Sequence, residues 1–366
     1  MKKIAFFVSE HGFGHAARTC AVIESLMKIS KFECHIFSHV HEWFFRNSLD
    51  QLDIDYRLHP IQVDVGLVQS DPFHEDLHLT LESLTKFYPI SPKRLEEIGS
   101  LIKSLGIELI ISDISPFGLL VAQFCNIRSL LIENFTWDWI YEPYFSFSPK
   151  FEETSHYLQE IYKTATFHIQ TEPVCSIDTS LQRTGPIFRE KRMGRGKIRK
   201  RLGIDTDAQM VLITMGGIPV NGTQFKSKNF SKNCYFLMIT QSVRSQEQRD
   251  NLILLPHDHH YFHPDLIHAS DVVVGKVGYS TIAEVYSAGV PFLFIGRENF
   301  RESIYLENFI IKNLSSKKIS FNQFQNGEWQ DAIESLLSSS RNQVIPLNGA
   351  DIVSDFITKG INQNLI

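Results

Sequence analysis

The chain is punctuated by short runs that are apolar on both faces, and these alternate with helical patterns. Runs over 3–8, 33–38, 108–112, 128–132 and 166–170 read as strands, and stretches near 15–29, 79–105, 117–126 and 151–164 read as helices. A strand that is apolar on both faces must be covered on both faces. The intervening helices supply that cover, so the pattern specifies a parallel sheet. The alternation breaks at Gly185–Gly203 (GPIFREKRMGRGKIRKRLG), a polar, basic, glycine-containing stretch with the composition of a linker. It then restarts, with strands over 209–214, 235–239, 252–255, 271–274 and 291–295 and helices over 264–269, 281–288 and 302–312. At 366 residues the chain exceeds one ordinary core. We therefore expect an α/β protein of two Rossmann-like domains, residues 1–188 and 189–348, whose parallel sheets face each other across a cleft. A helix over 349–366 is expected to pack back on the first domain.

Charge and cysteine usage narrow the partners. A net charge of −5 argues against a general nucleic-acid binder, which needs a basic face. The five cysteines (20, 34, 125, 175 and 234) are scattered and never in C-x-x-C spacing, which fits reduced cytosolic thiols rather than a disulfide or zinc framework. The opening apolar run is too short for a secretory signal, and no run approaches the ~20 apolar residues of a membrane span. The expected location is the cytoplasm, at most peripheral to the inner face of a membrane through the basic 189–201 segment. The plainer reading of that segment is preferred: a solvated turn and then a helix with Lys197 to Arg201 on its exposed side.

Two glycine loops carry the chemistry. The first, Ser9–Arg18 (SEHGFGHAAR), follows the apolar run and opens a helix. Gly12, Gly14 and Ala17 formally match the dinucleotide fingerprint, but no acidic residue ends the second strand to hold a ribose, so the loop is not read as an NAD site. A bare structural turn would have little use for His15. At a helix N-terminus the dipole disfavours imidazolium, which keeps a histidine neutral and usable as a base. The second loop lies in His268–Ser303 (HASDVVVGKVGYSTIAEVYSAGVPFLFIGRENFRES), where a strand ends in Gly275-Lys276-Val277-Gly278-Tyr279 and a helix follows with Thr281 and Glu284.

This second loop, the A-G-V-P and strand after it, and the earlier VLITMGG (Val211–Gly217) resemble the donor-binding region of GT-B glycosyltransferases, in particular the branch of the peptidoglycan N-acetylglucosaminyltransferase. A closer likeness is to the glycosyltransferase-like domain of plant L-arabinokinases. It is carried by His11–Ala16, Ser112–Pro116 (SDISP), Asn134–Tyr141 (NFTWDWIY) and Gly275–Glu284, and it runs to about residue 312. The resemblance implies a GT-B fold and transfer of a sugar from a nucleotide diphosphate, a UDP-sugar foremost, to an unidentified glycan, lipid-linked sugar or small molecule. It implies no metal and no other cofactor. Donor contacts would come from Gly216, Gly217, Lys276, Gly278, Tyr279, Thr281, Glu284, Arg297 and Glu302. His11, Gly12, Gly14, Asn134 and Trp137 would face the acceptor, with His15 as base and Asp113 orienting it.

Rival readings stand beside several of these residues. Thr281 and Glu284 also have the spacing of a capping box, in which the glutamate reaches back to the first helical N–H. Lys276, Arg297 and Arg301 suit a leaving pyrophosphate but equally a charged surface. Ser303 and Glu302 stand where related transferases place glutamines against the sugar, so the sugar's identity is not legible. The histidines of His257–His263 (HDHHYFH) invite a metal, but their spacing fits no zinc pattern. The rival functions are a nucleotide-sugar hydrolase or epimerase of the same fold, or a non-catalytic nucleotide-sugar-binding module.

Overall fold

A computed structural model describes residues 2–71, 73–216, 230–297, 299–342 and 346–363. The chain divides into two compact units. The first comprises Met1–Val68, Glu75–Phe188 and Leu347–Ile366, and the second Gln69–His74 and Arg189–Pro346.

In the first unit the described strands are β1 (Lys3–Val8), β2 (Glu33–Phe37), β3 (Tyr56–His59), β4 (Leu109–Asp113), β5 (Arg128–Glu133), β6 (Phe167–Thr171) and β7 (Gln182–Thr184). They form one sheet in the order β3-β2-β1-β4-β5-β6-β7, and every pairing is parallel. The order in which strands are added reverses between β1 and β4, which lie side by side with Val8 in register with Asp113. In open parallel sheets ligands bind at such a switch point, outside the carboxyl ends of the strands. The helix Gly14–Ile29 covers one face with Ala16, Ala17, Cys20, Val22, Ile23 and Leu26. The helix Gly349–Asn362 lies against it, with Ala350, Val353 and Ile357 in the same core.

In the second unit the described strands are β8 (Gln209–Thr214), β9 (Cys234–Thr240), β10 (Glu247–Arg249), β11 (Leu252–Pro256), β12 (Val272–Lys276), β13 (Phe292–Ile295) and β14 (Ser316–Ile319). Their order is β10-β11-β9-β8-β12-β13-β14, parallel throughout except for β10. The switch point is between β8 and β12, where Thr214 is in register with Gly275.

Two expectations need correction. The single helix read over 79–105 is two helices, Leu77–Phe87 and Pro92–Leu105. Pro89 cannot continue the first, and the Ser91 side chain accepts from Arg94 N–H to start the second, with proline at its first position. The basic segment does form a helix, Arg195–Leu202, but Arg199 is buried rather than exposed. Its guanidinium donates to the Ala269 and Ala208 carbonyls and to Asp271, which also pairs with Arg195. Among the described residues no helix is long and apolar enough to cross a membrane.

Candidate functional site

The first unit brings its candidates together at the β1/β4 switch point. Gly12 adopts φ +76°, the left-handed conformation that favours glycine, and this turns the chain from β1 into the helix beginning at Gly14. His15 is therefore the second residue of that helix, 6% exposed, with its Nδ1 2.8 Å from Asp113 Oδ1. Asp113 ends β4 and is 2% exposed. The next residue, Ile114, takes φ +50°, an uncommon conformation for a β-branched residue. Its carbonyl accepts from the Tyr162 hydroxyl at 2.7 Å, which fixes the backbone just beyond the carboxylate.

A residue that the motifs do not flag completes this cluster. Arg18, 1% exposed, donates from Nε to Asp113 Oδ2 at 2.8 Å and from Nη2 to Oδ1 at 2.5 Å. Its Nη1 donates to Asn134 Oδ1 at 2.8 Å. Burial alone would raise the Asp113 pKa, but Arg18 and His15 hold it below the ordinary carboxylate range. Burial lowers the His15 pKa below that of a free histidine, Asp113 works against that, and Arg18 reinforces it. An arginine on the apolar face of a helix, one turn beyond a histidine, was the available sequence signal.

The other acceptor-side candidates have structural duties. Asn134 is fully buried and its side-chain oxygen serves Arg18. Trp137, expected to face the acceptor, is also fully buried and offers no open face for a sugar to stack on. Its indole N–H donates to Asp64 Oδ2 at 3.0 Å, and the Ser9 hydroxyl donates to Asp64 Oδ1 at 3.1 Å. Burial pushes the Asp64 carboxyl up to about 7. His11 stands edge-on to Trp137, ring centres 5.2 Å apart. It fills the space beside Gly66, where an added Cβ would come within 2.4 Å of His11 Nδ1.

The second unit collects the donor candidates at its own switch point. Gly216 takes φ +72°, and Lys276 Cε lies 3.6 Å from where a Cβ on Gly216 would stand, so the lysine reaches over the turn after β8. Gly217 lies outside the described residues. Gly278 is the N-cap of the helix Tyr279–Ala288, whose first turn has no acidic residue and no side-chain cap, so the positive end of its dipole favours an anion there. Tyr279 and Thr281 are buried in that first turn.

Glu284, 1% exposed, makes no capping box. Its Oε1 accepts from Arg189 Nε at 2.9 Å and Nη2 at 2.8 Å, and its Oε2 accepts from His263 Nδ1 at 2.8 Å. Burial alone would raise its pKa, but these partners hold it below the usual carboxylate range. His263 Nε2 then accepts from the Thr214 hydroxyl at 3.1 Å, tying the glutamate to the end of β8. Arg189 is 95 residues away in sequence, a pairing that no local pattern reveals.

Arg297 and Glu302 stand one strand further along, after β13. Arg297 lies over the Phe300 ring at 3.8 Å, and its N–H donates to Ser303 Oγ at 2.9 Å. Glu302 is the buried N-cap of the helix Ser303–Asn313. Among the described residues no cluster of three or more His, Cys, Asp or Glu is arranged to hold a metal ion. The histidines of 257–263 disperse instead, His263 to Glu284 and His260 onto the Tyr261 ring.

No family model matches the chain. It is 26% identical over 362 residues to an L-arabinokinase of Arabidopsis thaliana, covering 96% of this chain and 34% of that protein. It is 28% identical over 114 residues to the UDP-N-acetylglucosamine–N-acetylmuramyl-(pentapeptide) pyrophosphoryl-undecaprenol N-acetylglucosamine transferase of Bacillus pumilus, covering 27% of this chain and 31% of that protein. The chain thus spans about a third of the length of these curated relatives. Among solved structures, a UDP-glucosyltransferase from Polygonum tinctorium superposes with a TM-score of 0.59 at 13% identity, covering 98% of both chains. The resemblance read from the motifs is borne out, and the chain has the GT-B fold of the nucleotide-sugar glycosyltransferases.

Proposed function

We propose that the protein is a metal-independent glycosyltransferase that moves a sugar from a nucleotide diphosphate, a UDP-sugar first of all, to a hydroxyl-bearing acceptor. The observation that carries this reading is the buried His15–Asp113 pair at the switch point of the first sheet. The glycine loops and Lys276 at the corresponding point of the second sheet support it, as do relatives and fold neighbours named as glycosyltransferases.

In this scheme the His15 Nδ1–H donates a hydrogen bond to the Asp113 carboxylate, which leaves the Nε2 lone pair for the acceptor hydroxyl. The acceptor oxygen bonds to the anomeric carbon as its proton passes to Nε2. The bond from that carbon to the phosphate oxygen breaks, and the nucleoside diphosphate leaves with the electron pair. Lys276 and the N–H groups at Gly278 and Tyr279 would offset the charge on the departing phosphates. Glu284 would take the donor ribose, and the cytoplasm would supply the nucleotide sugar.

The test is a thermal-shift panel of UDP-, GDP-, dTDP- and ADP-sugars, followed by turnover of the preferred donor with and without acceptors. His15→Ala should cost about two to four orders of magnitude in turnover while sparing donor affinity, the usual scale for a positioned general base. Turnover without acceptor would identify a hydrolase, and binding without turnover a non-catalytic module. Full activity in His15→Ala would refute the base assignment.

A further inference from the structure

We infer that Arg18 is a positioning residue for His15: it occupies both oxygens of Asp113 and holds the imidazole as an uncharged base, Nδ1–H toward the carboxylate and Nε2 free for the acceptor. This rests on the reading of His15 as the base. The two-point contact of Arg18 with Asp113, at 2.8 and 2.5 Å, is the planar fork geometry in which arginine binds a carboxylate most strongly. Asn134 holds the third guanidinium nitrogen, so the fork cannot swing away. Arg18 Nη2 is also 3.1 Å from His15 Nδ1. Both are donors there, and the short contact to Asp113 decides that Nδ1 keeps its proton.

The charge count gives the consequence. A buried histidine beside a lone carboxylate gains a proton and becomes a neutral pair, which burial favours. Here the carboxylate is already neutralised by Arg18, so protonating His15 creates a net positive charge among side chains that are 6%, 1% and 2% exposed. The charged groups facing His15 are Asp113 on β4 and Arg18 on its own helix. The stretch after β5 contributes the uncharged Asn134 and Phe135. Asp64, in the stretch after β3, is coupled to Asp113 and Glu10. Without Arg18 the imidazole would therefore take a proton more readily and be lost as a base at higher pH.

The experiment follows the His15 Cε1–H signal by NMR in histidine-labelled full-length protein, assigned by its absence in His15→Ala, from about pH 4 to about pH 8. In the wild type the midpoint should fall below the ordinary 6.5. Arg18→Met keeps the apolar stem and removes the charge, and should raise the midpoint by about one pH unit or more. Arg18→Lys keeps the charge and should stay below 6.5, which keeps the test decisive if Arg18→Met fails to fold. A wild-type or Arg18→Lys midpoint at or above 6.5, or no rise in folded Arg18→Met, overturns the inference. The titration needs no substrate. A protein that titrates as expected but transfers no sugar would refute the transferase reading and leave this one standing.

Discussion

Replacing Glu284 by Gln separates two things that the carboxylate is asked to do. In the unligated protein it is 1% exposed and accepts two hydrogen bonds from Arg189 and one from His263. Removing one member of a buried ion pair costs about 3–5 kcal/mol, because the partner is left uncompensated. Glutamine keeps one carbonyl oxygen for Arg189, and a hydrogen bond to a charged group returns about 1.5–3 kcal/mol of that. A net loss of about 1.5–2 kcal/mol follows. For a domain of this size that is roughly 3–8 °C in the melting temperature of the second unit. The effect must also depend on pH. The folded pKa lies below the ordinary 4.5, so the carboxylate's contribution is fully present above that value and disappears as pH falls through the folded one. The gap between wild type and variant should therefore be widest near neutrality and close on acidification. Differential scanning calorimetry of the unligated proteins reads both quantities. A variant melting within a degree of the wild type at neutral pH would refute the argument. Calorimetric titration with the preferred nucleotide sugar then asks the second question, since losing a ribose contact should weaken binding by about 1–3 kcal/mol. Lost stability with unchanged affinity would assign Glu284 to the scaffold alone.

Gly66→Ala should press on His11, whose ring occupies the space of the new methyl group, and cost about 1–3 kcal/mol of stability together with acceptor turnover; denaturant melts and initial rates check it. The folded Asp64 carboxyl titrates at about 7, far above its ordinary 3.8, so the folded state holds that proton more tightly and stability should fall as pH rises between those values. Asp64→Asn should remove that fall, and with it any tryptophan fluorescence change centred near 7, because Trp137 donates to this carboxylate. EDTA should leave nucleotide-sugar binding and turnover unchanged, and stoichiometric zinc lost together with activity would refute the metal-free scheme.

What could be read in the sequence follows from how each element earns its stability. The central strands β1, β4, β5, β8, β12 and β13 are buried on both faces, so their composition alone announces them. Tyr56–His59, Gln182–Thr184 and Ser316–Ile319 escaped notice because sheet-edge strands are short and partly polar, as Lys317 and Lys318 are in β14. The break at Tyr88–Pro92 was legible, since Ser91-Pro92 is a helix-start signature, but the apolar periodicity on both sides obscured it. The glycine loops were legible because their conformations leave few residue choices. The partners that define the chemistry were not, because Arg18 meets Asp113 across 95 residues and Arg189 meets Glu284 across another 95. Which carboxylate an arginine finds is decided by strand order, and no local window of sequence contains it.

The helix Gly349–Asn362 has a consequence for how the protein is made. It supplies Ala350, Val353 and Ile357 to the core beneath Gly14–Ile29, while Ser25 donates to Asp351 at 2.6 Å. Asn348 clasps Phe188 through both backbone groups, at 2.8 and 3.3 Å, so the chain returns to the point from which it left the first unit. On the ribosome the second unit has all of its residues by Pro346, whereas the first cannot close its hydrophobic interior until its last segment emerges. The unit that begins synthesis first is thus the one that finishes folding last. A nascent chain arrested before residue 350 should expose the apolar face of Gly14–Ile29, which makes that surface a natural site for chaperone capture during translation.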